Sequence, residues 1–514
     1  MASGILGGGT RSYRLSTQDA TFIYAESQSG PLHIGSIGLL EGRIEFEEVR
    51  RHVTSRIHLI PRYRQRLAPV PFNIAHAMME DDPEFSVDHH VFEHELAPGL
   101  SEAAALSAIM RNYETPLDRE RPLWDVHIYH GLEGARTAVV WRVHHCLVDG
   151  VSGVELLKVM YDFRPDPEPA PAPETPWAPN PPSSGAARFI EAARAQLHAT
   201  LEGAQQAARE VMSDPAAAAK NAQALAAAAR TMTELATRRI ARTPWNAGIA
   251  TGRREIAWTR QSFADFRAIR QAFGGSVNDV VLTILTEGAA RYLAHHGYLA
   301  RGEELCIGCP VNVRHRDERS ALGNRVSMMF PTAPAEPTDI VERLKVIAAE
   351  TERIKAAGSA QALESLMRMA EGVPPALVAM SARMATGALD AAAALAQLSG
   401  WKPAPGGFAL PAAMINFIAT NVPGVQVPLY LLGHRCLDMI PLVPLGATLG
   451  YGVAILSYNR SLYFGMMAEP RLMPDVALMR AFVDDAFAEL RRRGHERAGV
   501  AERVMAGVAA AARG

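Results

Sequence analysis

The chain has 514 residues, 48% of them hydrophobic and 21% charged, an ordinary globular composition at a length that suggests two domains or more. A formal net charge of −2 lacks the basic surplus of a nucleic-acid binder, so no nucleic-acid partner is expected. Four cysteines (Cys146, Cys306, Cys309 and Cys436) suit a reduced, cytoplasmic protein better than a disulfide framework.

The opening "MASGILGGGTRSYR" lacks the apolar core of a signal peptide. The longest apolar candidate, "ALVAMSARMATGALDAAAALAQL", is broken by Arg383 and Asp390, so a soluble or peripheral protein is expected. From Leu15 to Ser27, "LSTQDATFIYAES" reads as a short capped helix, and "GPLHIGSIGLLEG" (Gly30 to Gly42) as a strand with its turns. A helix, "FEEVRRHVTSRIHLI", leads into the basic "PRYRQRL" (Pro61 to Leu67), a solvated face or a contact for anionic phosphates. "RPLWDVHIYHG" (Arg121 to Gly131) gives a strand able to pair with the next one through a short turn.

That next strand, "TAVVWRV" (Thr137 to Val143), runs into "HHCLVDG" and then into a helix with Val154, Leu157 and Tyr161 on one face. His144, His145, Asp149 and Gly150 therefore sit on a strand-to-helix turn, where a scaffold presents loop side chains. Histidine titrates near neutrality and can take a proton from a hydroxyl and return it to a leaving group. Side chains alternate along extended backbone, so only one of the two histidines faces a given cavity. Asp149 can hold the turn through a backbone amide or a distant arginine, and Gly150 permits a tight bend. By residue chemistry alone the group is equally a pair of core histidines at a turn. A zinc site is disfavoured, because no third or fourth ligand lies nearby in sequence.

After Arg164 the proline-rich "RPDPEPAPAPETPWAPNPPSSG" reads as an extended linker, and Ala186 to Arg239 as thin alanine-rich helices crossing between domains. An α/β pattern restarts near Gly252: a strand in "REIAWTRQSF", a helix in "FADFRAIRQAFGG", and a second helix from Ser276 to Gly297. Ser276 and Asp279 have capping-box spacing, so Asp279 reads as the closure of that helix. Asn278 stands at the same helix start, where donors can meet an anion. His295 and His296 lack a following Asp-Gly and read as exposed at the helix end. Cys306 and Cys309 lie inside an apparent strand and read as core rather than as a redox or zinc pair. Further on come an amphipathic helix in "ERLKVIAAETERIKAA", a strand ending at Asn421-Val422-Pro423-Gly424, a hairpin turning at Asn459-Arg460, and a helix from Pro474 to Arg493 with a fraying tail.

"HHCLVDG" resembles the two-histidine signature of the acyl-CoA-dependent acyltransferases, the superfamily of chloramphenicol acetyltransferase and peptide-synthetase condensation domains. "RPLW", "HHCLVDG", "SVNDVV", "GNRVS" and "NFIATNVPG" occur here in the order seen in bacterial wax ester synthase/diacylglycerol acyltransferases, and the similarity runs from about Leu15 to Leu490. The "DFGWG" of plant-type acyltransferases is missing, and the Pro/Ala-rich stretch of 164–240 departs from the family's pattern.

The resemblance implies an α/β fold of two chloramphenicol-acetyltransferase-like domains, an N-terminal one over 1–163 and a C-terminal one over 251–514, joined by a helical linker over 164–250, with an active-site tunnel between them. It implies long-chain acyl transfer from acyl-CoA to diacylglycerol, or to a long-chain alcohol to give wax ester, with acyl-CoA as substrate and no cofactor or metal. In that reading His145 is the general base, His144 orients the turn, Asp149 and Gly150 are structural, and Asn278 is the candidate oxyanion donor. Pro122-Leu123-Trp124 and Asn421 to Gly424 would shape the tunnel, and Asp279 would stay structural. Lipid substrates imply transient contact with a membrane or lipid-droplet surface, through the alanine-rich helices or Arg238, Arg239 and Arg242, if these are not simply solvated. A primarily wax-forming enzyme and a non-catalytic acyl-lipid-binding or condensation-like module are the rival readings.

Overall fold

The computed structural model describes residues 12–148, 150–173, 175–195, 237–247, 251–298, 301–312, 326–358, 415–446 and 449–511, with isolated positions in 223–234 and 375–379. In chain order the first half gives β1 (Tyr13–Arg14), α1 (Thr17–Ala25), β2 (His33–Leu40), α2 (Phe46–Arg56), β3 (Gln65–Ala68), β4 (Met78–Asp81), β5 (Val91–Glu95), α3 (Glu102–Tyr113), β6 (Trp124–Leu132), β7 (Arg136–His144) and α4 (Gly150–Met160). The second half gives β8 (Glu255–Ser262), α5 (Phe263–Phe273), α6 (Val277–His295), β9 (Glu304–Asn312), β10 (Val326–Met329), β11 (Thr332–Pro334), α7 (Ile340–Ala356), β12 (Phe417–Val422), β13 (Tyr430–Leu431), β14 (His434–Leu442), β15 (Tyr451–Tyr458), β16 (Ser461–Ala468) and α8 (Val476–Ala511).

Local signals account for many of these boundaries. Ser16 caps α1 by accepting the Asp19 amide at 3.1 Å, satisfying one of the orphan donors of a helix start. The Ser276–Asp279 capping box opens α6, as its spacing predicts, and Asp279 also accepts the Thr351 hydroxyl of α7 at 2.7 Å. Asn459 and Arg460, both at positive φ (44° and 64°), make the β15–β16 turn. His295 and His296 are exposed at the end of α6. The last helix runs on to Ala511 instead of fraying after Arg493.

β7 lies at the centre of a six-stranded sheet ordered β13-β14-β2-β7-β6-β5, and the second half builds a sheet ordered β10-β9-β12-β15-β16-β8, with β11 on β9. The small sheet β1-β4-β3 stands apart. Two strands do not stay with their own half: β13 and β14, over 430–442, complete the first sheet, with Met439 opposite Gly38 and Ile440 opposite Ile37. The continuous 251–514 domain expected from sequence thus lends an arm to its neighbour. The apolar residues of β14 find their cover on β2 and on a cluster shared by both halves, where Ile37, Leu39 and Tyr113 meet Ile440, Ala454 and Met467.

Close backbone contact fixes this junction. A Cβ on Gly465 of β16 would lie 1.9 Å from the Pro441 carbonyl oxygen, so only glycine lets β16 approach β14. Arg254, buried at the same seam, donates to the carbonyls of Ser29 and Leu445 at 3.0 and 3.1 Å, and the Trp258 indole donates to Glu102 at 3.1 Å. α6 is buried along nearly its whole length beneath α7 and α8, as expected of a helix apolar all round.

The basic "PRYRQRL" segment is not a solvated face. Arg62 lies over the Tyr13 ring at 4.4 Å and Arg64 over the Trp177 ring at 4.6 Å, so cation–π contacts hold these guanidinium groups against the small sheet. Trp177 and Asn180 belong to the proline-rich stretch, which among its described residues, 164–173 and 175–184, forms no helix; Asn180 ties it to the small sheet by donating to Asp81 at 2.7 Å. Residues 185–195 are helical, and most of the alanine-rich segment from 196 to 236 lies outside the described residues; Arg239 and Arg242 are described and lie in neither helix nor strand.

Candidate active site

β7 delivers the two histidines. His144 is its last residue, paired in register with His33 of β2, and His145 is the first residue of the turn that follows. The His145 amide donates to the Leu32 carbonyl at 3.0 Å, and the turn closes by Leu147 N–H donating to the His144 carbonyl at 3.0 Å. Alternation sends the two rings apart, as extended backbone requires. The His145 ring stacks on Phe22 of α1, with centroids 4.0 Å apart and planes within 5°, and lines a cavity. His144 is fully buried on the other side: its Nδ1 accepts the Cys146 amide at 3.1 Å, and its Nε2 lies 3.3 Å from Glu26 Oε1.

Glu26 follows directly on α1. Burial alone would raise its carboxyl, but the His144 ring, the Leu32 amide and the Arg119 guanidinium outweigh burial and hold it down to about 2. His33, also fully buried, donates to the Tyr113 carbonyl at 2.7 Å; burial and then the Arg142 guanidinium push its pKa down to about 3, so the ring is neutral. A neutral ring facing a carbonyl donates, which puts its proton on Nε2.

The cavity, about 550 Å³, lies between the two sheets and is in the size range of small-molecule sites. Its walls are mostly apolar: Leu32, Ile34, Val154, Leu157 and Met160 from the first half, and Val311, Met328, Ile418, Leu442 and Leu449 from the rest of the chain. Gly153 of α4 also lines it, and a Cβ built there meets no atom within 4 Å. Thr420 and Asn421 bring polar groups to the wall contributed by β12. A histidine at the wall of an apolar cavity can deprotonate a hydroxyl carried in on a long hydrocarbon.

The other residues singled out from the sequence divide into two groups. Asn278 and Asn421 come together, Asn421 Nδ2 donating to Asn278 Oδ1 at 3.1 Å, and of the two only Asn421 is a lining residue. Pro122, Leu123 and Trp124 do not shape the cavity wall. Leu123 accepts the His144 amide at 2.9 Å, and Trp124 is stacked between Tyr63 and His90 with its indole N–H donating to the Tyr63 carbonyl at 2.8 Å. A buried tryptophan needs a partner for its N–H, and here that need places it behind Tyr63, which does line the cavity. Pro423 is exposed, and Gly424 is a packing residue: a Cβ there would lie 2.3 Å from the Ser457 carbonyl oxygen, and neither lines the cavity. Gly150 opens α4. Asp149, and Gly323 to Arg325 of "GNRVS", lie outside the described residues.

Comparison with known proteins gives this arrangement its relatives. Residues 15–281 match the model of the wax ester synthase/diacylglycerol acyltransferase catalytic domain, and residues 322–491 match that of the WS/DGAT C-terminal domain. The chain belongs to the wax ester synthase/diacylglycerol acyltransferase family. A Mycobacterium tuberculosis (strain H37Rv) relative described as "Probable diacyglycerol O-acyltransferase tgs1" is 29% identical over 479 residues, covering 93% of this chain and 95% of its own. Among solved structures, the wax ester synthase/diacylglycerol acyltransferase of Marinobacter aquaeolei VT8 superposes with a TM-score of 0.62 at 20% identity, over 94% of this chain and 100% of that one. A starter condensation domain of rhizomide synthetase RzmA follows with a TM-score of 0.54 at 15% identity, over 93% of this chain and 94% of its own.

This member of the wax ester synthase/diacylglycerol acyltransferase family is thus an acyl-CoA-dependent acyltransferase with the two-part α/β fold of chloramphenicol-acetyltransferase-like proteins. Two of its site residues escaped sequence reasoning. Phe22 and Glu26 belong to a stretch that reads as a capped helix and as part of the family resemblance, with no role attached to either residue; only the fold brings α1 against the turn after β7. The cysteines are all buried and free, and burial raises each of them, Cys306 to about 12 and Cys146 well above its ordinary value. Cys306 and Cys309, three apart on β9, point to opposite faces of the strand. Among the described residues, Glu93, Glu95 and His130 have metal-ligand spacing, but the Arg43 guanidinium sits on Glu95 at 2.5 Å and supplies the cation.

Proposed function

We propose that this enzyme acylates diacylglycerol to triacylglycerol, with long-chain alcohols as alternative acceptors giving wax esters, and that His145 is the general base. The observation that carries this reading is the His145 ring, held against Phe22 at the wall of an apolar cavity shared by both halves. The acceptor hydroxyl gives its proton to the unprotonated ring nitrogen of His145 while its oxygen bonds to the thioester carbonyl carbon. The tetrahedral intermediate then breaks its C–S bond, and His145 returns the proton to the departing CoA thiolate. One C–O bond forms, one C–S bond breaks, and no enzyme nucleophile is needed. The printed names of the mycobacterial relatives support the diacylglycerol acceptor, and the condensation domain of like fold, solved with C8-CoA and Leu-SNAC, supports a CoA thioester as donor.

His144 orients the turn in this reading, supported by its full burial and its contacts to Cys146 and Glu26. The oxyanion donor is the Asn278–Asn421 pair, supported by Asn421 reaching the cavity wall. Asp149 is assigned a structural role by the family motif. We read the organisation as an acyltransferase half over 1–163, a connecting segment over 164–250, and a second half over 251–514 whose β13–β14 arm crosses back. No helix among the described residues is long and apolar enough to cross a membrane, so access to lipid acceptors is proposed to be through transient contact with a membrane or lipid-droplet surface.

The test is free-CoA release from palmitoyl-CoA with dioleoylglycerol, hexadecanol or no acceptor, with the lipid products separated. Triacylglycerol formation is expected to exceed wax ester formation, and His145→Ala is expected to lower turnover by about 10²–10⁴-fold. Equal turnover by His145→Ala would overturn the base assignment, and no ester with either acceptor would overturn the substrate assignment.

A further inference from the structure

We propose that Glu26 is a positioning residue for His145, an inference that rests on His145 being the base. Its carboxylate is tied to each of the elements that fix the His145 ring. Oε1 accepts the Leu32 amide at 2.9 Å, and the Leu32 carbonyl in turn accepts the His145 amide at 3.0 Å. The same oxygen lies 3.3 Å from His144 Nε2. Because the Cys146 amide donates to His144 Nδ1, that nitrogen is an acceptor and the ring proton sits on Nε2, facing Glu26. Oε2 faces away from the site and accepts from Arg119 Nε and Nη2 at 3.2 and 2.9 Å. Arg119 Nη2 also donates to the Ile23 carbonyl at 2.9 Å, in the last turn of the helix that carries Phe22. The Phe22 ring is the surface on which His145 stacks.

The two oxygens therefore have separate duties. Oε1 holds Leu32, whose carbonyl accepts the His145 amide, and lies beside the His144 ring; Oε2 anchors the carboxylate to an arginine whose side chain is 42% exposed, against 4% for Glu26. The charge is present at any working pH, since the carboxyl is held down to about 2. A buried carboxylate serving only stability would not need one oxygen aimed at the base's own turn. Loss of Oε1 frees the His145 ring to shift on Phe22, and a misplacement of about 1 Å in a reacting group costs on the order of 10²-fold in rate.

Three variants measured beside the parent and His145→Ala test this. Glu26→Ala removes both oxygens; it is expected to lower kcat about 10–100-fold, with KM for palmitoyl-CoA within about twofold, since Glu26 does not line the cavity. Glu26→Gln keeps an Oε1 acceptor for Leu32 and loses the charge facing Arg119, whose own side chain stays partly in solvent; it is expected to recover kcat to within about fivefold of the parent. Glu26→Met fills the volume without an acceptor and replaces Glu26→Ala in the comparison if that variant does not melt cooperatively. Parent-like kcat in a folded Glu26→Ala or Glu26→Met, or a Glu26→Gln as impaired as these, would overturn the proposal. His145→Ala separates the two readings: its loss of turnover beside a parent-like Glu26→Ala sinks only the role of Glu26, whereas parent-like turnover by His145→Ala sinks the base.

Discussion

Cys146 adjoins the proposed base, and its position invites the idea of an acyl-thioester enzyme. The thiol is fully buried, and burial together with Asp19 and Glu26 pushes its pKa well above the ordinary value, so the thiolate that such chemistry needs is not available. What Cys146 gives the site is its backbone amide, the donor to His144 Nδ1, and any residue but proline supplies that. Cys146→Ala is therefore expected to keep kcat within about twofold and to lose about 1 kcal/mol of stability. Mass spectrometry of enzyme mixed with acyl-CoA alone checks the same point, and an acyl adduct on Cys146 would refute it. The histidine motif was legible at this scale because the signature is local. The ring that supports His145 was not, because Phe22 and Glu26 are distant in sequence and ordinary in type.

Among the elements, α4 shows how a helix sets the shape of the site. Val154 and Leu157, read from sequence as one face, both line the cavity, and Gly153 beside them leaves open space where a side chain would project. Gly153→Val is expected to fill that space and to discriminate against long chains. The ratio of kcat/KM for palmitoyl-CoA over octanoyl-CoA should fall about 10-fold, since each methylene in an apolar pocket is worth about 1–3 kcal/mol. Valine is itself a poorer helix former than alanine, so the exchange gains only about 0.3 kcal/mol of helix propensity, and the melting temperature should not drop. An unchanged chain-length profile would place the acyl chain elsewhere in the cavity. The capping box of α6 and the turn at Asn459-Arg460 were predictable for the same reason as the α4 face, each being decided by residues a few positions apart.

At the scale of the whole molecule, buried neutral histidines make stability depend on acid. His33, with a folded pKa held to about 3, binds no proton between pH 3 and its unfolded value of about 6.5, whereas the unfolded chain does. Stability from this group is full above about pH 6.5 and is lost as pH falls, by about 1.4 kcal/mol per unit inside that window. Glu26, depressed to about 2, has the same sign over a lower window: its stabilisation is present above its ordinary pKa and lost as pH falls toward about 2. Urea midpoints are therefore expected to fall steadily from pH 7 to pH 5, and His33→Gln, which can still donate to Tyr113, should flatten the slope by one proton. An unchanged slope in His33→Gln would refute a neutral His33 in the folded state.

The sequence by itself determined that this is a two-part α/β acyltransferase of its family, where its strand-to-helix turn with the two histidines lies, and most of the helices and strands around it. Those features are written in periods of two and 3.6, in caps and turns, and in a motif whose members are neighbours. Only the tertiary structure decided that β13 and β14 cross into the first sheet, that Trp124 supports Tyr63 from behind, and that α1 and the residue capping its end supply the ring beneath His145 and the carboxylate beside His144. Each of these is a pairing between residues far apart along the chain, and apolar or ionic complementarity leaves no spacing by which to find its partner; close packing selects it once the chain has folded.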